Sequence, residues 1–322
     1  MQRANARYYA SRDPFHEFAT GPEISQVFGE IVGLWAATVW EAFGRPDPIL
    51  LVELGPGRGT LMQDALRAVA EVAAPFRRAL HVHLVETSPR LRALQEKALP
   101  DATWHADWAE LPDGPMLLLA NEFLDALPIR QFVHRSSGWT ERFVQGGQFI
   151  ERPAAPPPPR EAPLDAVVEI SEPALALAAA LGARFAPGHR NPAPGAALFF
   201  DYGPAASAPG DSLQALCNGR PADPLAEPGM ADLSAHVDFQ SFAATARAQG
   251  ASVSGPLAQG LFLTRLGLFQ RLDRLARGRS PAQAALLLAG GRRLVEPDGM
   301  GQLFKVLALS STRTAALPGF AP

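Results

Sequence analysis

A seven-residue segment at 53–59, with the sequence ELGPGRG, places an acidic side chain before three alternating glycines. Glycine lets a backbone turn sharply and approach a ligand closely, because it has no Cβ atom to collide with that ligand. The spacing differs from the G-x-G-x-x-G pattern, which seats a dinucleotide pyrophosphate at a helix N-terminus. S-adenosylmethionine has no phosphate but carries a sulfonium, an ammonium and a carboxylate, so it is the better chemical match. We therefore expect Glu53, Gly55, Gly57 and Gly59 to bind this cofactor; a purely structural turn is the alternative.

Further candidate cofactor ligands follow two more segments of predicted strand. Glu86 ends a strand predicted at 80–86, where a carboxylate can accept hydrogen bonds from both hydroxyls of a ribose. A strand-end acid in solvent is the alternative. Asp107 follows a short strand predicted at 102–105 and is a candidate acceptor for an adenine amine, with Trp108 against the ring. An aspartate that caps a helix beside a core tryptophan is the alternative for this pair.

Candidate catalytic residues follow an apolar strand predicted at 116–120. Methyl transfer from a sulfonium is an in-line displacement, so the enzyme chiefly orients the acceptor. Glu122 and Asp125 are the candidates for contacting the acceptor, with Asn121 orienting either the substrate or the cofactor. The alternative for Asp125 is to cap a turn, a position where aspartate is common.

Several other polar residues have weaker support. Tyr202 could close an acceptor pocket or simply pack a loop, and His236 is better explained as a structural histidine than as a general base. Glu169 and Glu172 would be further acids beside the acceptor if their part of the chain folds over it. The seven histidines show no ligand spacing and Cys217 is the only cysteine, so we expect no metal site.

The candidate residues follow predicted strands that alternate with predicted helices. A buried strand, the glycine loop and a helix open a βαβ unit, and the alternation continues along the chain. In open α/β sheets, ligands bind beyond the carboxyl ends of the strands. The pattern predicts a doubly wound α/β fold with strands at 49–54, 80–86, 116–120, 197–201 and 303–309 and helices at 23–43, 60–73, 89–98, 175–185, 239–248 and 261–277.

The region from about 129 to 240 interrupts this alternation. Segments 131–134 and 140–145 predict a hairpin, because a turn-forming stretch separates two strand-like runs. The proline-rich run 153–163 can hold neither helix nor sheet and predicts an extended surface loop. Residues 203–235 show weak periodicity and many Gly, Pro, Asp and Ala residues, which is typical of a functional loop or lid.

Composition and charge limit the class of protein. The chain has 322 residues, 47% of them hydrophobic and 19% charged, which suits a buried core. A net charge of −3 without clustered positive charge argues against nucleic-acid binding. No apolar run approaches the length of about 20 residues that spans a membrane. The first residues lack a secretory signal and a single cysteine fits a reducing compartment, so we expect a soluble, cytoplasmic protein.

Seven blocks spread over nearly the whole chain resemble, in the same order, blocks of the MidA-type methyltransferases, also described as the complex I assembly factor methyltransferase family. The resemblance implies a class I (Rossmann-like) methyltransferase fold with an inserted substrate lobe, and S-adenosylmethionine as the methyl donor. The blocks are FATGPEISQVFGE (18–30), VELGPGRGTLMQD (52–64), VETSPRLRALQ (85–95), ANEFLDALP (120–128), FFDYG (199–203), ADLSAHVDF (231–239) and MGQLFKVLAL (300–309).

The resemblance also implies a substrate class. Mitochondrial members of the family are understood to dimethylate an arginine of a respiratory complex I subunit, which suggests a protein substrate here. A guanidinium acceptor requires carboxylates in bidentate geometry, so with this acceptor Glu122 and Asp125 would hold the arginine. It further suggests an N-terminal helical segment, 1–45, that covers the cofactor site, followed by a methyltransferase core at 46–322. The chain departs from the family pattern at His16-Glu17, which replace a Gly-Asp pair, and at 217–222, which lack a usual histidine; only seven residues precede the tyrosine pair Tyr8-Tyr9.

Three functions remain open at this point. The first is a protein arginine methyltransferase, the second a methyltransferase for a small molecule, and the third an assembly factor that binds the cofactor and a partner without turnover. Aromatic residues in the predicted hairpin and the long loop at 203–235 favour a macromolecular partner. A nicotinamide oxidoreductase is disfavoured by the glycine spacing. The sequence does not indicate the oligomeric state.

Overall fold

A computed structural model describes residues 1–12, 19–189, 193–311 and 317–320; His16 and Glu17 lie outside the described residues. Its strands are β1 Ile49–Leu54, β2 Leu80–Val85, β3 Thr103–His105, β4 Met116–Asn121, β5 Arg130–Arg135, β6 Gly138–Gln145, β7 Gln148–Pro153, β8 Val167–Ile170, β9 Gly195–Tyr202, β10 Gln214–Cys217, β11 Arg220–Pro221, β12 Asp232–Ser234, β13 Ser252–Ala258 and β14 Phe304–Ser310. Its α-helices are α1 Gln2–Ser11, α2 Gly21–Ile24, α3 Gln26–Ala42, α4 Thr60–Val72, α5 Ala74–Ala79, α6 Pro89–Ala98, α7 Glu172–Phe185, α8 Phe239–Ala248, α9 Gln259–Arg265, α10 Leu268–Ala276 and α11 Pro281–Val295.

The central sheet has the strand order β13-β14-β9-β4-β1-β2-β3. Strands β1, β2, β3, β4 and β9 run parallel, whereas β14 is antiparallel to both of its neighbours. Chain order reverses between β1 and β4, which makes this the switch point where open α/β sheets bind ligands. Leu54 is paired with both Val85 and Ala120, so the carboxyl ends of these strands meet at one edge. The predicted doubly wound α/β fold is confirmed.

Helices cover both faces of this sheet, and each face has its own apolar core. All six residues of β1 are buried, as expected for a strand covered on both sides. Because side chains alternate along a strand, Ile49 and Leu51 pack into one core and Leu50 and Val52 into the other. The first core includes residues of α3, α4 and α9 to α11, and the second includes residues of α7 and α8.

The inserted region is more ordered than its sequence suggested. The predicted hairpin is present as β5 and β6, and it belongs to a four-stranded antiparallel sheet with the order β7-β6-β5-β8. The stretch predicted to be irregular contains the three-stranded sheet β11-β10-β12. Short polar strands with turn residues between them leave little periodicity, so pairing partners far along the chain decide their conformation.

Some predicted helix boundaries are wrong. The helix predicted at 261–277 is two helices, α9 and α10, because Gly267 between them has a left-handed φ of +87°. The helix predicted at 23–43 begins after Ser25, whose hydroxyl accepts from the Val27 amide and caps α3. Within the described ranges, every helix is too short or too polar to cross a membrane.

Candidate functional site

The three glycines predicted to bind the cofactor form a tight loop between β1 and α4. Their φ angles are +59° at Gly55, +57° at Gly57 and +81° at Gly59, all in the left-handed region that favours glycine. A Cβ atom added at Gly55 would lie 2.9 Å from Cδ2 of Phe123, which follows β4. The loop therefore lies directly against the segment that carries the candidate catalytic residues.

Glu53 is a buried acid at the end of β1. Its side chain is 3% exposed, and its Oε2 has no hydrogen-bond partner among the residues that the structure describes. Burial raises the pKa of Glu53 to about 8, opposed by a hydrogen bond from the Met62 amide and aided by the charge of Glu86. A buried polar atom without a partner costs free energy, so this oxygen fits a ligand that brings a donor or a positive charge.

Glu86 follows β2 at the same edge and is held by a residue that the sequence analysis missed. Gln95, fully buried in α6, donates from Nε2 both to Oε2 of Glu86 (3.1 Å) and to the Gly57 carbonyl (2.7 Å). Its Oε1 accepts from the indole of Trp104 at 3.0 Å. The other Glu86 oxygen accepts from the Ser88 amide at 2.8 Å. Gln95 thus fixes the glycine loop relative to Glu86. A glutamine on the buried face of a predicted helix is the feature of the sequence that could have indicated this role.

Asp107 and Trp108 lie after β3, near the end of the sheet. The side chain of Asp107 accepts from the Ala109 amide at 2.8 Å and caps a short 3-10 helix, Trp108–Glu110. Trp108 is half-buried and packs against the second apolar core. The capping contact is the alternative that the sequence left open for Asp107, and the adenine contact remains a prediction.

Asn121 and Glu122 lie where β4 ends. Oε1 of Glu122 accepts from Nδ2 of Asn121 (3.1 Å) and from the amide of Gly21 at the start of α2 (3.2 Å). Burial, and then the charge of Asp201, raise the pKa of Glu122 to about 7. Oδ1 of Asn121 is buried and has no hydrogen-bond partner within the described part of the chain.

Asp125 lies in a turn that another carboxylate shapes. Oδ2 of Asp201 accepts from the backbone amides of Phe123 (3.2 Å), Leu124 (2.8 Å) and Asp125 (3.3 Å). Burial, followed by the charge of Asp201, raises the pKa of Asp125 well above its usual range. Oδ1 of Asp125 is buried without a hydrogen-bond partner among the described residues. Asp201 ends the strand predicted at 197–201, and its contact with this turn was not predicted.

A fourth carboxylate, Asp232 of β12, completes an acidic cluster with Glu122, Asp125 and Asp201. Its charge raises the pKa of both Glu122 and Asp125, and its Oδ1 accepts from the Tyr9 hydroxyl at 2.8 Å. Neither Glu122 nor Asp125 pairs with a lysine or arginine of the described ranges. Two buried carboxylates without a basic partner in the described ranges suit a positively charged ligand.

Helix α1 spans the two halves of this edge. Asn5 donates to the carbonyls of Ala126 (3.0 Å) and Leu233 (2.8 Å) on the side of the acidic cluster. The Ser88 hydroxyl, next to Glu86, donates to the Tyr9 carbonyl at 2.8 Å.

The remaining candidate acids belong to the inserted lobe. Glu169 accepts from Gln131 (2.7 Å) and from the hydroxyl of Ser212, and Glu172 pairs with Arg130. The ring of His236 packs edge-to-face on Tyr202 with 5.5 Å between centroids. The structure therefore brings Tyr202 to the acidic cluster, where it interacts with Asp125. It does not bring Glu169 or Glu172 to this cluster.

The chain is similar to known methyltransferases over nearly its whole length. Residues 31–257 match the family model described as "Putative S-adenosyl-L-methionine-dependent methyltransferase". The chain is 33% identical to the "Protein arginine methyltransferase NDUFAF7 homolog, mitochondrial" of Drosophila melanogaster, over 96% of this chain and 79% of that protein. It is also 33% identical to "Protein arginine methyltransferase NDUFAF7, mitochondrial" of Homo sapiens, over 94% of this chain and 76% of that protein.

The fold also matches a solved structure with a bound cofactor product. A COG1565 superfamily member from Burkholderia thailandensis, bound to S-adenosyl-homocysteine, superposes with a TM-score of 0.78 at 25% identity. The match covers 98% of this chain and 90% of that chain. The curated relatives are named as mitochondrial proteins, which contradicts the cytoplasmic location expected from the sequence; that expectation is wrong. The family model and the relatives together cover most of the sequence, and the chain belongs to the MidA-type family of S-adenosylmethionine-dependent methyltransferases.

Proposed function

We propose that this methyltransferase methylates a guanidinium nitrogen of an arginine in a protein substrate. The observation that carries the proposal is the pair of buried carboxylates Glu122 and Asp125. Neither pairs with a lysine or arginine of the described residues, and Oδ1 of Asp125 also has no hydrogen-bond partner among them. Relatives named as protein arginine methyltransferases support the same acceptor class. Following the family resemblance, we also propose a respiratory-complex subunit as the substrate.

The residues at the ends of β1 and β2 would hold the cofactor. The left-handed loop of Gly55, Gly57 and Gly59 lets the backbone approach a ligand, and the orphaned oxygen of Glu53 would face its positive charge. Glu86, held by Gln95, would accept from ribose hydroxyls, and Asp107 with Trp108 would contact adenine. Bound S-adenosylmethionine supplies the electrophilic methyl group. In this proposal the segment 1–45 covers the cofactor, supported by the Ser88 contact to Tyr9.

Glu122 and Asp125 would hold the acceptor guanidinium. Carboxylates bind a guanidinium through charge-assisted hydrogen bonds, and burial strengthens the attraction. The acceptor nitrogen loses one proton when it gains a methyl group, and a carboxylate in contact with it can take that proton. Because its pKa is about 7, Glu122 is suited to this exchange near neutral pH. Asn121 would orient the acceptor or the cofactor through Oδ1, which has no hydrogen-bond partner among the residues that the structure describes.

A labelling experiment tests the acceptor class. A cell-lysate proteome is incubated with the enzyme and methyl-labelled S-adenosylmethionine, and the labelled products are hydrolysed to amino acids. We expect label in methylarginine of one or a few proteins. Label confined to small molecules would instead favour a small-molecule methyltransferase. Tight cofactor binding without any transfer would favour an assembly factor that does not turn over.

A further inference from the structure

The inserted lobe contains a preformed apolar cavity of about 380 Å³. It lies between the sheet of β5 and β8, the proline-rich segment and α8. Its size falls within the range of about 300–1,000 Å³ that is typical of ligand pockets. The lining is mainly apolar and includes Leu124, Ile129, Phe132, Ile170, Val237 and Phe242.

Two residues of the cavity lining connect it to the acidic cluster. Leu124, which lines the cavity, lies in the turn that Asp201 holds, immediately before Asp125. His236 also lines the cavity, and its ring packs on Tyr202, which interacts with Asp125. The cavity therefore lies next to the residues that position the proposed arginine site.

The proline-rich wall of the cavity is held by an ion pair and a hydrogen bond to α8. Residues 156–159 are four consecutive prolines that line it. Arg160, which follows them, donates to Oδ2 of Asp238 (2.8 Å) and to the hydroxyl of Ser241 (2.9 Å) on α8. Prolines have few conformations to lose, and the ion pair of Arg160 fixes their position. Binding of an occupant would therefore cost little conformational entropy in this wall.

The charged groups around the cavity are already paired with each other. Arg130 forms hydrogen bonds with Glu141 and Glu172, and Arg160 pairs with Asp238. Glu169 is held by Gln131 and Ser212. A charged occupant would have to displace one of these partners, whereas an uncharged apolar group needs only to fill the space.

We propose that this cavity binds an apolar side chain of the acceptor protein, a few residues from the target arginine. The proposal rests on the proposed function and extends it to substrate selection. An apolar anchor in a preformed pocket beside the reacting group would hold the arginine in register with Glu122 and Asp125. Such anchors carry much of the affinity in protein recognition.

The test uses the acceptor protein identified by arginine labelling. Leu175, a half-buried residue of α7 that lines the cavity, is changed to Trp to fill the space. Leu164→Trp is the matched control, because Leu164 is 59% exposed and does not line the cavity. We expect Leu175→Trp to raise KM for the acceptor at least about tenfold, as expected for the loss of one buried apolar side chain, with kcat and cofactor binding unchanged. Leu175→Gln, which adds no bulk, should act in the same direction.

A double-mutant cycle assigns the occupant. Apolar residues near the acceptor arginine are changed to Ala one at a time, and one such change should raise KM for the wild-type enzyme but not for Leu175→Trp. If arginine is labelled but Leu175→Trp leaves KM unchanged, or no acceptor position couples to it, the cavity does not select the substrate. If no arginine is labelled at all, the proposed function itself fails.

Discussion

Asp201 of β9 accepts hydrogen bonds from three consecutive backbone amides, the last of which belongs to Asp125. One buried carboxylate thus shapes the turn that presents another. The contact joins the ends of β9 and β4, neighbouring parallel strands whose Phe200 and Asn121 are paired in register. Its effect is electrostatic as well as geometric, because the charge of Asp201 raises the pKa of both Glu122 and Asp125.

Asp201→Asn tests this relationship. The asparagine oxygen can still accept the hydrogen bonds, but the negative charge of the Asp201 carboxylate is lost. The pKa values of Glu122 and Asp125 should therefore fall. The neutral oxygen accepts weaker hydrogen bonds from the turn that presents Asp125, so we expect kcat to fall about tenfold or more. Cofactor affinity should stay near wild type. The acidic limb of the kcat-pH profile should shift to lower pH. A loss of activity without any shift of the profile would mean that Asp201 acts only through the fold.

Gly57→Val tests the placement of the cofactor. A β-branched residue is strained at the φ of +57°, and its side chain would enter the space where the backbone approaches the cofactor. We expect calorimetry to detect no binding of S-adenosylmethionine. Gly146→Val is the control, because Gly146 has a φ of +60° and no neighbour within 4 Å of an added Cβ. Normal binding by Gly57→Val would place the cofactor elsewhere.

Glu86 and Gln95 should act together in cofactor binding. Glu86→Ala should weaken the binding of S-adenosylmethionine by about 1.5–3 kcal/mol, the range for a lost hydrogen bond to a charged group. Gln95→Leu should weaken it too, because the link from Gly57 to Glu86 is removed. Glu96→Ala is the control, since Glu96 is an exposed residue of the same helix that pairs with Arg92. Wild-type affinity in Glu86→Ala would return Glu86 to the role of a solvated strand end.

The sequence predicted those features that leave a local mark. The left-handed loop requires glycine, and the buried run of β1 is continuous in sequence, so both were found. The contacts of Gln95 and Asp201 join residues that are far apart in the chain, 38 positions from Gly57 and 77 from Leu124, and have no local signature. Helix α11 was not predicted, although the capping box of Ser280 and Gln283 is a local mark of its start.

Strand β13 was missed for a different reason. Its sequence contains Gly255-Pro256, which reads as a turn, and the structure accommodates this pair as an irregularity in the register with β14 between Ser254 and Leu257. Pairing with a neighbour decided the conformation here, against the local preference.

The free protein should become less stable as the pH rises, because buried Glu53 loses its proton. Burial raises its folded-state pKa from 4.5 to about 8, so between these values the folded protein holds a proton that the unfolded chain has lost. The contribution of neutral Glu53 to stability is therefore full below pH 4.5 and is lost as pH rises through about 8. Thermal melts should show a steeper fall in Tm over this window for the wild type than for Glu53→Gln.

Cofactor binding should release this proton. If the positive charge of S-adenosylmethionine lies beside Glu53, it lowers the pKa of the carboxyl, and the site loses a proton at pH 7. Calorimetry in buffers of different ionisation enthalpy measures that release directly. The same titration with Glu53→Gln should show no such dependence on the buffer. Equal proton release by both proteins would assign the proton to another group.

Glu122→Gln separates catalysis from binding. Glu122 lies in the acidic cluster beyond β4, and its neighbours Asn121 and Gly21 can still hydrogen-bond to the glutamine oxygen. The fold and the affinity for S-adenosylmethionine should therefore be nearly unchanged. Loss of the negative charge removes both the attraction for a guanidinium and the group that takes its proton. We expect methyl transfer to fall by at least about two orders of magnitude, comparable to the loss of a well-placed charged contact in a transition state.

The control for this variant is Glu41→Gln, because Glu41 is an exposed residue of α3 that pairs with Arg45 on the helix surface. Both variants are compared with the wild type in cofactor calorimetry and in transfer of labelled methyl groups to protein. Loss of transfer with intact binding in Glu122→Gln alone would support its role at the acceptor. An equal loss of binding and transfer would place Glu122 in the cofactor site, because a residue that contacts only the acceptor has no reason to change the affinity for the donor.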